Sequence, residues 1–238
     1  MEAAAPTLVC VVCAAPDVQQ CSRCKAVYYC SRRCQKRHWW ASHKRRCIPA
    51  AERKAFDVPA NRERLWWAVA LGDEAVAADM TLRGADVNYR GEFGATPLCA
   101  AAQKGHVGIV KDLLDAGANK DLAMNNGVTP LLIATQKGYD AVVRTLLDAG
   151  ADKDRADDHG ATALFAAAEN GHDKAVRVLL DAGADKHIAR RDGVSPLRIA
   201  AEKGHDAVAR TLLDAGADKN PADHQSCTAL FAASVQEY

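Results

Sequence analysis

"ATPLCAAAQKGHVGIVKDLLDAGA", residues 95–118, is the stretch that decides the fold of most of this chain. Thr96 can cap the N-terminus of a helix and the proline after it fits the first helical turn, so a short helix is predicted to begin here and to end before Gly105. A second helix is predicted to end near Asp115, where Gly117 supplies a left-handed residue. The stretch therefore predicts two short helices joined by a glycine turn.

The same unit recurs at a period of 33 residues without a slip of register. The leucine of its opening motif returns each time, at Leu98, Leu131, Leu164, Leu197 and Leu230. One such unit cannot bury its apolar side alone, whereas neighbours stacked at this period bury one continuous core. Recurring small residues, such as Ala101 and Ala102, let the helices approach closely. The period predicts a helical solenoid.

These motifs resemble the ankyrin repeat over roughly residues 62–238, and the resemblance implies an all-α ankyrin-repeat solenoid. Residues 62–94 lack the Thr-Pro step and are predicted to form a cap-like N-terminal repeat. Four full repeats follow, and a truncated last repeat ends at Tyr238. The histidine that is usual after the opening motif is replaced, which removes the hydrogen bonds it would make. The replacing residues are Cys99, Leu132, Phe165, Arg198 and Phe231.

Function in such a solenoid is expected at the positions that vary while the repeat frame holds. The turn tips vary in this way, and by the family resemblance they line a concave binding face together with polar residues of the first helices, such as Gln103 and Gln136. The tip residues predicted to contact a protein partner are Tyr89, Arg90, Met124, Asp157, Asp158, Arg190 and Arg191. The adjacent cations Arg190 and Arg191 are expected to contact an acidic partner or nothing.

Seven of the nine cysteines fall within residues 10–47, and an odd cluster of this kind favours an intracellular metal site over a secreted disulfide scaffold. The candidate ligands come in four closely spaced pairs, Cys10 with Cys13, Cys21 with Cys24, Cys30 with Cys34, and His43 with Cys47. Eight ligands complete two tetrahedral sites and leave no position for water, so we predict two structural Zn²⁺ ions per chain. Iron–sulfur ligation fits the basic His/Cys segment less well.

Two histidines compete for the eighth ligand position. His38 lies four residues after Cys34 and His43 lies four residues before Cys47, so either ring could share a helical face with a thiolate. Counting favours His43, because the first three pairs supply six thiolates and Cys47 supplies the seventh. His38 is then expected at the surface.

"YYCSRRCQKRHWWASHKRRC", residues 28–47, follows two Cys-x2-Cys pairs and resembles a MYND-type zinc finger. The family's interleaved pairing implies one site of Cys10, Cys13, Cys30 and Cys34 and another of Cys21, Cys24, His43 and Cys47. The resemblance also implies a groove for short proline-containing peptides, for which the candidates are Gln35, Trp39 and Trp40. Packing against the zinc sites is the other interpretation of the tryptophans. A HIT-type finger is the nearest alternative, and a RING finger would need a histidine that residues 21–30 lack.

The charge is unevenly distributed along the chain. Residues 1–54 carry eleven Lys and Arg against three acidic residues, whereas residues 55–238 carry twenty against twenty-seven. Two unlike domains are therefore predicted, a finger at residues 10–47 and a solenoid at 62–238, joined by a linker at 48–61. The basic finger leaves a nucleic-acid-associated transcriptional regulator open as an alternative function, although a short basic surface is equally well a solvated face.

The apolar run near the N-terminus opens with Glu2 and carries no cation, so it is not interpreted as a signal peptide. No stretch reaches the roughly 18 apolar residues of a membrane span. Every residue past 61 belongs to the repeats, which leaves no segment for a cofactor-binding or catalytic domain. The sequence predicts a cytoplasmic or nuclear adaptor with protein partners, and not an enzyme. It predicts no small-molecule substrate and no membrane contact, and nucleic acid is not the expected partner.

Overall fold

A computed structural model describes three parts of the chain, Gln19–Gln20, Tyr28–Tyr29 and residues 59–218. The two short strands, β1 (Gln19–Gln20) and β2 (Tyr28–Tyr29), pair antiparallel, so that Gln19 lies opposite Tyr29. The chain divides into two compact units, Met1–Leu65 with Ala75–Asp86 and Trp66–Glu74 with Val87–Tyr238. In the first unit Leu65, Ala77 and Met80 are buried. The second unit contains the stacked repeats.

Residues 59–218 are helical and confirm the all-α solenoid. The helices are α1 (Pro59–Leu71), α2 (Glu74–Arg83), α3 (Pro97–Lys104), α4 (Val107–Asp115), α5 (Pro130–Gln136), α6 (Asp140–Asp148), α7 (Ala163–Glu169), α8 (Asp173–Asp181), α9 (Pro196–Glu202) and α10 (Asp206–Asp214). α1 begins at Pro59, inside the stretch 48–61 that the sequence predicts as a linker. Proline suits a first helical turn, where its missing N–H has no intrahelical acceptor to lose. Within residues 59–218, no helix has the length and apolar character needed to cross a bilayer.

The first helix of each later repeat begins at the predicted cap. The hydroxyl of Thr96 accepts a hydrogen bond from the backbone N–H of Cys99 at 3.2 Å. The same bond, at the same distance, caps the next three repeats at Thr129, Thr162 and Ser195. α3 ends at Gly105, whose φ of +74° is left-handed and costs glycine no Cβ clash. The predicted bounds of both helices in this repeat are confirmed.

The helices stack in two layers. α3, α5, α7 and α9 contact one another in order in the first layer, and α4, α6, α8 and α10 do so in the second. Of the five positions that replace the usual histidine, the four that the structure describes, Cys99, Leu132, Phe165 and Arg198, are buried in this stack. Full burial of a side chain such as Leu132 or Phe165 stabilises the fold by about 1.5–3 kcal/mol. Apolar packing therefore fills most of the positions where the hydrogen-bonding histidine is missing.

The histidine that precedes a second helix packs against a glycine of the preceding repeat. A Cβ atom at Gly138 would lie 2.8 Å from the His172 ring, and one at Gly171 would lie 2.8 Å from the His205 ring. Nε2 of His172 also lies 3.2 Å from the backbone carbonyl oxygen of Gln136. These histidines therefore join neighbouring repeats, which is a structural role.

Two ladders of hydrogen bonds connect successive repeats on the turn side. In the side-chain ladder, an oxygen of Asn88, Asp121 or Asp154 accepts a backbone N–H from Asn119, Asp152 or Asp185, respectively, at 2.7–2.8 Å. In the tip ladder, the backbone N–H of Asn125, Asp158 or Arg191 donates to the carbonyl of Phe93, Asn126 or His159, respectively. Each such bond contributes about 0.5–1.5 kcal/mol. The ladders therefore add directional bonds to the apolar stacking.

Thr211 of α10 binds a charged residue of α8. Its Oγ1 donates to Oδ1 of Asp173 at 2.7 Å, while Oδ2 of Asp173 accepts from Nε of Arg177 at 2.9 Å. The hydrogen bond from Arg177 is the main cause that lowers the pKa of Asp173, and the bond from Thr211 adds to it. The ionised carboxylate is thus the form that links the two repeats.

We expect Thr211→Val to lower the free energy of unfolding by about 1 kcal/mol at neutral pH, because it removes a bond to a partly exposed charged acceptor. Since the folded-state pKa of Asp173 is lowered, this contribution is present above the ordinary carboxyl pKa and is lost as the pH falls through the folded value. Denaturant titrations at neutral and acidic pH measure it. Thr145→Val is the matched control, because the Thr145 hydroxyl bonds only within α6, to the carbonyl of Ala141 at 2.9 Å. An equal loss at both pH values would contradict the assignment.

Candidate functional site

The predicted finger lies almost entirely outside the described residues. This applies to all eight zinc ligands, Cys10, Cys13, Cys21, Cys24, Cys30, Cys34, His43 and Cys47, and to the peptide-binding candidates Gln35, Trp39 and Trp40. Within that segment the structure describes β1 and β2, which end immediately before Cys21 and Cys30 in the sequence. Among the described residues themselves, no three His, Cys, Asp or Glu side chains cluster to hold a metal ion. The arrangement of the zinc ligands stays a prediction.

The predicted partner residues at the earlier tips differ in whether their side chains already make contacts within the chain. Tyr89 is half-buried, and Nη2 of the exposed Arg90 donates to Oδ1 of Asn125 at 3.2 Å. Oδ1 of Asp157 accepts the backbone N–H groups of the residues two and four positions later, both at 2.9 Å. Asp157 therefore closes its own turn with the carboxylate that the sequence assigned to a partner.

Arg190, which the sequence predicts to contact an acidic partner or nothing, pairs with acidic side chains of its own chain. Its Nη2 lies 2.6 Å from Oδ2 of Asp192 and its Nη1 lies 3.7 Å from Oε1 of Glu169. Its guanidinium also sits 4.9 Å from the centre of the Phe165 ring, a cation–π geometry. The hydrogen bond from Arg190 is the main cause that lowers the pKa of Asp192, which favours the ionised form of the pair. Arg191, its neighbour, is exposed.

Two successive tips enclose a cavity of about 330 Å³, which is lined by Asp158, His159, Arg190, Arg191 and Asp192. Three of the predicted partner residues, Asp158, Arg190 and Arg191, therefore lie together. Because the cavity carries charges of both signs and its cation Arg190 is paired internally, it has no strong preference for an acidic partner.

A larger cavity, of about 580 Å³, lies at the earlier tips and has both apolar and polar lining residues. We call it the apolar groove; Phe93 and Ala100 belong to its apolar lining, and its apolar floor consists of Trp66, Ala95, Cys99, Met124, Val128 and Ile133. Ala95, Cys99 and Ile133 are buried, and the other three are half-buried against them. Gln103 and Gln136 line the groove from the first helices. The volume lies within the range of about 300–1,000 Å³ that is usual for binding pockets.

Of these apolar residues the sequence singled out Met124 alone, and it missed Trp66 and the exposed Phe93 at the edge of the groove. A comparison within the repeat frame could have found Phe93, because the equivalent positions hold the polar residues Asn126, His159 and Asp192. Cys99 is a packing residue, since burial raises the pKa of its thiol and keeps it protonated at neutral pH.

Comparison with known families gives a match for the finger and a match for the repeats. A family model described as ankyrin repeats in three copies matches residues 65–157 and 150–223, and a MYND finger matches residues 10–47. Ankyrin repeats and MYND fingers are protein–protein interaction modules, and MYND fingers bind zinc. The matched repeats span more than half of the chain.

Similar curated proteins share only the finger region. Ubiquitin carboxyl-terminal hydrolase 15 of Arabidopsis thaliana is 44% identical over 55 residues, which are 21% of this chain and 6% of the hydrolase. Ubiquitin carboxyl-terminal hydrolase 16 of the same plant is 52% identical over 42 residues, 18% of this chain and 4% of that protein. Ubiquitin C-terminal hydrolase 15 of Oryza sativa subsp. japonica is 50% identical over 38 residues, 16% and 4% of the two chains. The matches cover the finger and not the catalytic part of these hydrolases.

The family matches agree with the capped, stacked helix pairs of residues 97–214 and with the cysteine spacing of residues 10–47. The chain belongs to the ankyrin-repeat family and carries a MYND finger ahead of its repeats.

Proposed function

We propose that this chain is an adaptor of the cytoplasm or nucleus that joins two protein partners. The finger binds a short proline-containing peptide, and the ankyrin repeats bind a second protein on the face formed by their tips and first helices. The observation that carries the proposal is the apolar groove, because a concave surface that combines apolar side chains with a few polar groups is the usual form of a binding site.

The donor set of the finger suits two zinc ions. Thiolates with one imidazole match the ligand preference of Zn²⁺, and eight donors fill two tetrahedra without an open position. In this proposal one ion is held by Cys10, Cys13, Cys30 and Cys34, and the other by Cys21, Cys24, His43 and Cys47. The metal then keeps a segment folded that is too short to bury an adequate core, and it takes part in no reaction.

We propose no catalytic activity and no small-molecule substrate for the chain. The similarity to ubiquitin hydrolases is confined to the finger, and residues 97–214 form the repeats. The finger is therefore the shared module, and the ankyrin repeats add a second binding face in this chain.

A nucleic-acid-associated regulator is the second candidate, favoured by the eleven Lys and Arg of residues 1–54. Binding of this kind is carried by phosphate contacts and weakens steeply as the salt concentration rises. Peptide binding in a groove with aromatic side chains depends much less on salt, so salt dependence separates the two candidates.

The test measures how the full zinc-loaded chain binds fluorescently labelled proline-containing peptides and, separately, random duplex DNA at low and moderate salt. We expect peptide binding that Trp39→Ala weakens by about tenfold while both zinc ions are retained. Trp67→Ala is the matched control, because Trp67 is 62% exposed on α1 and should leave the peptide affinity unchanged. Duplex binding that falls steeply with salt, without peptide binding, would favour the regulator instead.

A further inference from the structure

At the apolar groove one repeat carries two small residues, Cys99 and Ala100, at adjacent positions where each later repeat carries at least one large residue. Ala100 lines the groove, and the equivalent position of the next repeat is Ile133. Cys99 likewise stands where the next two repeats have Leu132 and Phe165. The groove is thus a local property of this repeat and not of the frame as a whole.

Phe93, at the edge of the groove, has an unfavourable backbone conformation and an unfavourably exposed side chain. Its φ is +55°, a left-handed conformation that side chains with a Cβ atom rarely adopt, and it is the only such non-glycine residue among those the structure describes. Its side chain is also 74% exposed. Strained residues of this kind concentrate at binding sites, because the surrounding structure holds them ready for a ligand.

We propose that the apolar groove binds an extended segment of a partner protein that inserts one bulky apolar side chain between Phe93 and Met124 and carries a basic residue beside it. This proposal rests on the partner-binding function of the ankyrin repeats and adds the location and the chemistry of the contact. Binding covers the exposed Phe93 ring, which nothing else in the described structure does.

The groove charges decide which flanking residue fits. The apolar floor carries no ionisable group except the protonated Cys99 thiol. Among the groove residues, Glu92 and Asp157 are negative and Lys137 is positive, and Arg90 acts on the Cys99 thiol from nearby, so the local charge beside Phe93 and not a net charge decides the match. Glu92 is exposed directly beside Phe93, so a cationic side chain next to the apolar anchor finds its complement there.

The polar residues of the groove suit the backbone of an extended segment. Gln103 and Gln136 occupy the same frame position in successive repeats and line the groove together. Each amide group can both donate and accept a hydrogen bond, which is what the peptide groups of an extended chain require. Apolar burial therefore supplies the affinity, and the amides and Glu92 orient the segment.

Two variants test the groove without removing residues that the fold needs. Ala100→Ile places in the groove the residue that the next repeat already holds at its own equivalent position, Ile133. Phe93→Asn places there the residue of the next tip, Asn126, and asparagine tolerates a left-handed backbone better than phenylalanine does. Phe93→Asn should therefore keep or raise the thermal midpoint while it removes the aromatic wall.

The experiment selects binders from displayed short random peptides on the full zinc-loaded chain, with the Ala100→Ile chain as counter-selection, so that peptides bound by the finger are discarded. We expect the remaining peptides to share a bulky apolar residue with Lys or Arg beside it, and to bind Phe93→Asn and Ala100→Ile about tenfold or more weakly than wild type. Glu92→Gln should weaken only the peptides that contain the basic residue. Thermal midpoints of all variants check the fold, and Phe93→Asn carries the test if Ala100→Ile is destabilised.

The groove proposal would be overturned, while the adaptor function stands, if every selected peptide also bound the Ala100→Ile chain, or if the remaining peptides bound Phe93→Asn as tightly as wild type. Peptides with an acidic flank would overturn the assigned charge. Recovery of no peptide from the wild-type chain would count against the groove and the adaptor function together.

Discussion

Removal of zinc by a strong chelator should unfold the finger at residues 10–47 and leave the helices of residues 59–218 largely intact. Structural zinc contributes on the order of 10–16 kcal/mol to the folding of small fingers at neutral pH, and a segment of this length cannot replace that by burying a core. The repeats depend instead on apolar stacking between neighbours, as in α3, α5 and α7. Circular dichroism should lose little helical signal while binding of proline-containing peptides is abolished.

Substitution of the two histidines supplies the control for this result. His43→Ala should lose about one of the two zinc equivalents found by elemental analysis, because it breaks one tetrahedral site. His38→Ala should retain both. Loss of zinc from His38→Ala instead would show that His38 is the ligand, and collapse of the helical signal together with zinc release would show that the repeats depend on the finger.

Phe165→Ala should lower the free energy of unfolding by about 3–5 kcal/mol, the usual loss when a buried aromatic side chain is truncated. Phe165 is 1% exposed at the centre of the stack, and its ring also carries the guanidinium of Arg190. Denaturant titration followed by circular dichroism measures the loss. Because stability in a stacked array is passed between neighbours, the transition should also broaden or split.

Phe165→Leu is the matched control, because Leu132 occupies the equivalent position of the preceding repeat and is fully buried there. A leucine should therefore fill much of the space, and its cost should be well below that of alanine. If both variants lost equal stability, the contact with Arg190 and not the volume of the ring would be the main contribution of Phe165.

Much of the repeat structure could be predicted from the sequence, because its signals are local. The cap at Thr96, the proline after it and the left-handed Gly105 act within one helix, so the helix bounds follow from neighbouring residues. The burial of Phe165 also follows, since its position in the repeat lies between stacked helices. The fold could be predicted because each repeat carries the same local sequence signals.

The side chains at the tips could not be predicted in the same way, because their partners come from other repeats. The sequence shows Arg190 as a tip cation, but its ion pair with Glu169 depends on how a tip lies over a first helix. The strained backbone of Phe93 likewise has no local signal, since the residues before and after it are ordinary turn residues. Contacts of this kind are set by tertiary geometry.

The side-chain ladder makes the length of this solenoid adjustable. Asp121 accepts the N–H of Asp152, and Asp154 accepts that of Asp185, with the same separation of 31 residues. Excision of one 33-residue unit between Asp121 and Asp185 would leave a carboxylate and an N–H facing each other as before. Gain or loss of whole units by recombination would therefore preserve the hydrogen bond at the junction. The number of repeats, and with it the length of the solenoid, could change during evolution while the contacts between repeats stay the same.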